Sequence, residues 1–470
     1  MTSSLWFLVA SFFLCFANAK IGYFWQISDI HYDLKYEKHG DIKRDCWRNE
    51  LSGGRGRHMA GLYGHFDCDS PWSLVISAVM SMKAKHGDDI EFIIWTGDGL
   101  SKHIVGQSID VEALQNLTQL LRFTFKSQFI FPVLGHDDPG ARTNEKQALA
   151  KVANLWSHWL PSEALQTFYK GGYYTIEQKK HKLRIVALNT NLYTTTRHQR
   201  NSHDDDPAGQ WNWLKTVLAT SQLKKETVYI MGHMGPGVDE RHPQDSPGFS
   251  ERHTRRYLEL VRKYSDIIVG QFFGHLHSDT FRIVYNETGH PVSWMMMAPS
   301  VSPRVPSGGN NNPGIRLYKF DTDTGQVLDY TQYYLDLANA NERGQADWVP
   351  EYNLTSYYQL REVSTSSLHS LAERLKDSSS VEFNRYYSAN SVQYKRGSCE
   401  DECAHTHYCA VTCLVYQDFS QCMEMAARSR ALASGAPFSP HKILLVPIVA
   451  VFLFTFMPSH LYPRLPCFVL

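Results

Sequence analysis

At 470 residues the chain is long enough for one large domain and a smaller companion, with an ample core. Its 43% hydrophobic and 20% charged residues are the ordinary balance of a soluble globular protein. Lys+Arg and Asp+Glu both number 47, so net charge gives no reason to expect a nucleic-acid-binding surface, and no nucleic-acid duplex is expected as a partner.

In chain order, the first segment is LWFLVASFFLCFANAK, an apolar run ending in Ala17-Asn18-Ala19. It predicts a signal peptide over 1–19, cut after Ala19, although its start carries no Lys or Arg. The run is shorter than the roughly 20 residues that span a bilayer. Export makes disulfides expected. Cys15 leaves with the leader, while Cys46 and Cys68 flank a Gly-rich loop that they could staple. Cys399, Cys403, Cys409, Cys413 and Cys422 crowd a late segment. The pairing favoured is Cys399 with Cys403 and Cys409 with Cys422, leaving Cys413 odd; sequence alone does not fix it, and a zinc knuckle is the competing reading. Asn116, Asn286 and Asn353 each open an N-x-T glycosylation acceptor.

Between the ends, IGYFWQIS, IEFIIWT, QFIFPVL, LRIVALN, TVYIMG, DIIVGQFFG and PVSWMMMAPS read as buried strands. A helix is predicted from Asp69-Ser70-Pro71 to Gly87, with others over 110–126, 208–220 and 250–264. Alternating strands and helices mean an α/β fold. The stretch 307–314 is a polar loop, and beyond about 340 the pattern changes to helices with the cysteine cluster. The expected division is a first domain over 20–338, a helical Cys-rich domain over 339–430 and a tail over 431–470. In the tail, small residues at 433–436, a polar spacer and the apolar run 443–457 have the layout of a GPI-anchor signal. The polar PSHLYPRLPCFVL that follows departs from that layout, leaving a transmembrane or a secreted tail as alternatives.

The chemistry lies at the strand ends. After the first run come Asp29 and His31, after the second Gly97-Asp98, and after the third Gly135-His136-Asp137-Asp138. Later runs deliver His233, then Gly274-His275-Leu276-His277. In open α/β sheets, sites form at the carboxyl ends of strands, so groups distant in sequence can converge. Imidazole with carboxylate suits zinc, iron or manganese rather than calcium. The ligands are too many for one tetrahedral zinc and fit a pair of ions sharing a carboxylate. Glycines beside them let the backbone turn sharply.

This order of DxH, GD, a GxxD turn, GH and GHxH resembles the calcineurin-like metallophosphoesterases. FPVLG, LNTNLY, GQFFGHLHSDTFR, NNPGIRLYKFD and the CxxxC cluster look like the acid sphingomyelinase group among them, over residues 21–425. The resemblance implies a β-sandwich flanked by helices, with a smaller disulfide-bonded helical C-terminal domain. It also implies two zinc ions per chain and hydrolysis of a phosphodiester of a nucleotide or a phospholipid head group. It places Asp29, His31, Asp98 and His277 around one zinc, and Asp98, His233 and His275 around the other. The family's Asn ligand falls on His136 and its catalytic His on Asp137.

That last departure matters chemically. His136 can replace an amide oxygen as a neutral nitrogen donor. Asp137 would face a phosphoryl dianion with a carboxylate, which repels rather than assists, so a slower enzyme is expected. Two rescues are open: Asp137 ligates while His136 faces substrate, or His103 supplies the proton. The purple acid phosphatases carry a Tyr ligand three residues after the GD aspartate, where this chain has Ser101. Trp47, Tyr63, Tyr193 and the 307–314 loop are candidate walls of a substrate groove. The alternative to an enzyme is a zinc-bound, catalytically weak protein of the membrane surface, held there by the anchor, that modulates lipid composition or signalling.

Overall fold

The apolar runs become strands of two sheets that pack face to face in a computed structural model. It describes residues 20–48, 59–87, 89–107, 109–140, 146–179, 181–194, 204–305, 309–394 and 396–433. The leader expected at 1–19 and the anchor-like tail from 434 onward lie outside the described residues.

The strands are β1 (Ile21–Ile27), β2 (Ile90–Trp95), β3 (Phe129–Pro132), β4 (Tyr174–Gln178), β5 (Leu183–Ala187) and β6 (Thr227–Met231). They continue with β7 (Ile268–Phe273), β8 (Thr280–Tyr285), β9 (Pro291–Met297), β10 (Gly314–Asp321), β11 (Val327–Leu335) and β12 (Trp348–Asn353). One sheet has the order β12-β11-β10-β1-β2-β3 and the other β4-β5-β6-β7-β9-β8. β1, β2 and β3 run parallel, as do β5, β6 and β7, and these central strands are the near-continuous apolar runs of the sequence. β10, β11 and β12 add an antiparallel flank, and the half-exposed alternation of β11 and β12 is a weaker sequence signal.

An aromatic cluster joins the sheets. Phe24 of β1 stacks on Tyr318 of β10 with centroids 4.7 Å apart, and meets Phe272 of β7 edge-on at 5.4 Å. Outside the sandwich lie the expected helices. Trp72–His86 begins directly after Pro71 and stops where Gly87 takes φ +39° and returns its N–H to the Lys83 carbonyl. Asp110–Thr124 and Glu251–Lys263 match their patterns, while Gln210–Lys224 runs past the expected end at 220. Helices Lys146–Trp156 and Ser162–Gly171 were not anticipated.

The division expected at 338 is not a break in the packing. β12 completes the first sheet beyond that point. Leu371, Phe383 and Val411 of the later helices are buried in the same core as Phe24 and Trp95. Cys46–Cys68, Cys399–Cys403 and Cys409–Cys422 are bonded pairs, and Cys413 is a buried thiol. The paired sulfurs are therefore not thiolates available to a zinc knuckle. Asn286 lies at the β8–β9 turn and Asn353 is exposed at the end of β12. Asn116 is no surface-loop acceptor: it sits within helix Asp110–Thr124, and the hydroxyl of its Thr118 is buried and donates to the Leu114 carbonyl.

Between sandwich and late helices runs a buried polar seam. Arg282 pairs with Glu240 at 2.6 Å, and Asn390 donates to the same carboxylate at 2.8 Å. Burial alone would raise the Glu240 carboxyl, but Arg282 outweighs it and holds it at about 2. His407, packed among Phe383, Tyr386 and Tyr387, is pushed down to about 3 by burial. An unfolded chain takes up a proton there near 6.5 that the folded chain refuses until about 3, so stability falls as pH drops through that window. His407→Gln should flatten this part of the acid slope, read as denaturant midpoints between pH 7 and pH 3.5 on metal-free protein.

Candidate metal centre

The strand ends do converge. Asp29, His31, Asp98, His275 and His277 all take positive φ, between 46° and 71°. Non-glycine residues seldom adopt that region, and Asp and His are among those that do. Each strand thus turns abruptly at its end and throws a donor inward. Glycines make the space. A Cβ on Gly135 would lie 2.0 Å from Asp98 Oδ1, and one on Gly274 would lie 2.6 Å from Asp29 Oδ2.

The donors form two groups that share an edge. Asp29, His31 and His277 bring ligand atoms together on one side; Asp98, His136, His233 and His275 do so on the other, and His31, Asp98 and Asp137 form a third set that bridges the two. His31 Nε2 stands 3.0 Å from His277 Nε2 and 3.6 Å from Asp98 Oδ2. On the far side of Asp98 Oδ2, His136 Nδ1 is at 2.8 Å and His233 Nε2 at 3.1 Å, while those two nitrogens are 3.2 Å apart. Ligands of one tetrahedral zinc at 2.0–2.1 Å stand about 3.3 Å from each other. The spacing is that of atoms arranged around shared cations.

Three further observations fit cations. Asp98 Oδ2 is buried with no hydrogen bond, and so is His275 Nδ1; buried polar atoms are otherwise nearly always paired. Burial would keep the His233 ring neutral, yet Asp98 and Asp29 overcome it and raise the ring to about 10. The cleft's negative charge thus recruits a proton where a cation belongs. Burial also holds His275 and His277 well below the usual imidazole range, which leaves both as neutral donors.

Outer contacts fix four of the ligands. His233 Nδ1 donates to the Thr96 carbonyl at 2.8 Å and His277 Nδ1 to the Arg304 carbonyl at 2.7 Å, aiming the other nitrogen of each ring at the cluster. Ser28 Oγ and the His275 amide donate to Asp29, and the Asp137 amide donates to Asp98 Oδ1. Asp138, which sequence reasoning gave no role, clamps the loop by accepting from the amides of Gly99 and Gly135 at 2.8 Å each. Burial raises its carboxyl to about 6. Its only sequence signal is an aspartate before Pro139 within the same turn.

The two candidates for proton transfer fare differently from expectation. Asp137 is only 1% exposed, with Oδ2 4.0 Å from His31 Nδ1 and 3.6 Å from His136 Nε2. It lies against the ligand histidines, which does not suit a proton donor to substrate. His103 Nε2 is held between Arg304 Nη1 at 3.0 Å and Asp45 Oδ1 at 3.2 Å, and it belongs to none of the metal-competent groups. Burial lowers its ring, and Arg304 adds to that effect.

A cleft of about 340 Å³ opens on the second group, walled by His136, His275, Pro236, Asp239, Asp245 and Val305. The aromatic walls proposed from sequence do not line this cleft. Tyr193 is buried and stacks on Trp211 at 4.1 Å. The Trp47 ring donates to Asp33, and the Tyr63 backbone is tied to Asn341. Asn311 and Asn312, from the polar loop, are buried.

Residues 22–279 match the family model for calcineurin-like phosphoesterases, and residues 290–429 match the acid sphingomyelin phosphodiesterase C-terminal region. Acid sphingomyelinase-like phosphodiesterase 3b of Homo sapiens is 34% identical over 425 residues, covering 87% of this chain and 91% of that protein. Cyclic GMP-AMP phosphodiesterase SMPDL3A of Bos taurus is 35% identical over 417 residues, covering 86% and 90%. Sphingomyelinase phosphodiesterase C of Dictyostelium discoideum is 31% identical over 420 residues, covering 86% and 93%. Because the added Cβ would stand 2.0 Å from the Asp98 amide nitrogen as well as from its carboxylate, Gly135→Ala should abolish metal retention after dialysis, measured as ions per chain by mass spectrometry, and lower the unfolding temperature of the metal-free protein.

Proposed function

The chain belongs to the acid sphingomyelinase-like branch of the calcineurin-like phosphoesterases and is a phosphodiester hydrolase, and from that premise we propose that it is a two-zinc enzyme of the secretory pathway acting on nucleotide phosphodiesters or phospholipid head groups. The observation that carries this reading is the convergence of Asp29, His31 and His277 with Asp98, His136, His233 and His275 around one buried carboxylate oxygen. His136 takes the place of the family's amide ligand. Nitrogen donors in this number favour zinc over harder ions. Bound there, two ions would supply Lewis-acid stabilisation of phosphoryl charge and acidify an attacking water.

The chain's own residues supply orientation and access. Asp29, Asp98 and His233 are sealed from solvent, whereas His136 is 34% exposed and His275 partly so; a substrate enters across these two rings. The buried donors are held by the fixed hydrogen bonds to Thr96, Arg304 and Ser28, so little reorganisation is needed when charge develops on a phosphoryl group. Protonation of the leaving group is the weak step, because position 137 offers a carboxylate turned toward His31 and His136. Substrates with good leaving groups should therefore be cleaved far faster than alkyl esters.

Export is supported by the disulfides and by the leader-like start of the sequence. Attachment to the membrane would come through the anchor-like tail, since no helix among the described residues is long and apolar enough to cross a bilayer. The position of Asp137 also favours a second reading, a zinc-bound surface protein with little turnover.

Protein spanning 20–430 should retain two zinc ions and hydrolyse bis-p-nitrophenyl phosphate between about pH 4.5 and 8, with loss of turnover in chelator and recovery on adding Zn2+. Two ions without turnover would favour the binding-protein reading. At saturating Zn2+, Asp137→His should raise turnover toward the roughly 10²–10⁴-fold that one general acid contributes.

A further inference from the structure

The two departures in the loop are adjacent, and the structure gives them a common physical cause. An amide oxygen ligand has no second ring nitrogen to satisfy. An imidazole ligand does: once one nitrogen faces a cation, the other carries a proton that needs an acceptor. His233 and His277 find theirs in the carbonyls of Thr96 and Arg304. His136 and His31 differ, because the nitrogen each turns away from the cluster faces the same side chain. His136 presents Nδ1 to Asp98 and Nε2 to Asp137, whose Oδ2 is 3.6 Å away. His31 presents Nε2 to His277 and Asp98, and Nδ1 to the same Asp137 oxygen at 4.0 Å. Both distances are longer than a hydrogen bond and within ion-pair range. With Asp137 only 1% exposed, the field between these groups is poorly screened.

We propose that Asp137 is a positioning residue shared by both halves of the metal centre, a single outer carboxylate that orients His31 and His136 and raises their strength as donors. The histidine at 136 and the aspartate at 137 are then one paired change: the ring becomes a ligand and its neighbour becomes the carboxylate whose charge faces it from behind. The place where the family keeps a proton donor has been spent on metal affinity. This inference rests on the two-ion reading and gives Asp137, whose carboxylate also stands with His31 and Asp98 as a possible donor set, an orienting role in place of an acid's.

The test is Zn2+ affinity, measured by competition with a chromophoric chelator, on the 20–430 protein and its Asp137→Asn form, with the unfolding temperature of each metal-free protein as control. Asn keeps the size of the side chain and removes its charge. The expected result is a loss of about 10- to 100-fold in affinity for both ions, with the metal-free unfolding temperature unchanged or raised. In a His136→Asn background the same change should weaken only the ion held by His31. Undiminished affinity for both ions in Asp137→Asn would overturn the inference and leave the two-ion reading intact. So would an affinity loss matched by a fall in metal-free stability, because that assigns Asp137 to packing. Fewer than two ions on the unaltered protein would remove the two-ion reading, and the inference with it.

Discussion

The Asp98 carboxylate is the constraint on which the rest of the site depends. One of its oxygens is fixed by the Asp137 amide, while the other is buried without a hydrogen bond and has His31, His136 and His233 around it. Burial alone would raise this carboxyl, but the imidazoles of His136 and His233 hold it well below the ordinary carboxylate range. A buried carboxylate is costly, and it persists where a cation or cationic neighbours answer it, as the imidazoles of His136 and His233 do here. The strained backbone at Asp29, His31, Asp98, His275 and His277 has the same explanation: the donors can reach one point only if each strand breaks at its end.

The architecture around that point serves rigidity. The ligands come from the ends of β1, β2, β3, β6 and β7, drawn from both sheets. The aromatic cluster of Phe24, Phe272 and Tyr318 fixes the spacing between the sheets, and with it the gap between the two donor groups. The late helices share the same core, and Asn390 at the end of one of them donates to Glu240, which pairs with Arg282 of strand β8 beside the cleft. The late helices thus take part in holding the site's wall.

A cost accompanies the loop's departure. A carboxylate behind the ligand rings strengthens metal binding and at the same position withholds the proton that an alkoxide leaving group requires. His103 is held between Arg304 and Asp45. Metal affinity and leaving-group protonation therefore draw on one residue, and in this chain the balance lies with affinity.

The amino-acid pattern by itself determined the central strands, the four main helices and every donor at a strand end. Both-face burial leaves unbroken apolar runs, and sharp strand endings leave Gly beside Asp or His. It was poor at β4, β11 and β12, whose pattern is blurred by half-exposed positions, it missed the buried β8 and β10, and it put a domain boundary where β12 continues a sheet. It also offered Tyr193 as a groove residue, when stacking on Trp211 buries it. Only the tertiary structure decided which way adjacent side chains face. His136 and Asp137 are neighbours in sequence, and residue types alone leave open which of them ligates. The amide of Asp137 is bound to Asp98 and the carboxylate of Asp138 clamps two loop amides, and together these set the loop's rotation. That rotation turns His136 toward the cleft and Asp137 behind it, because a pinned backbone fixes the direction in which each Cα–Cβ bond leaves the loop.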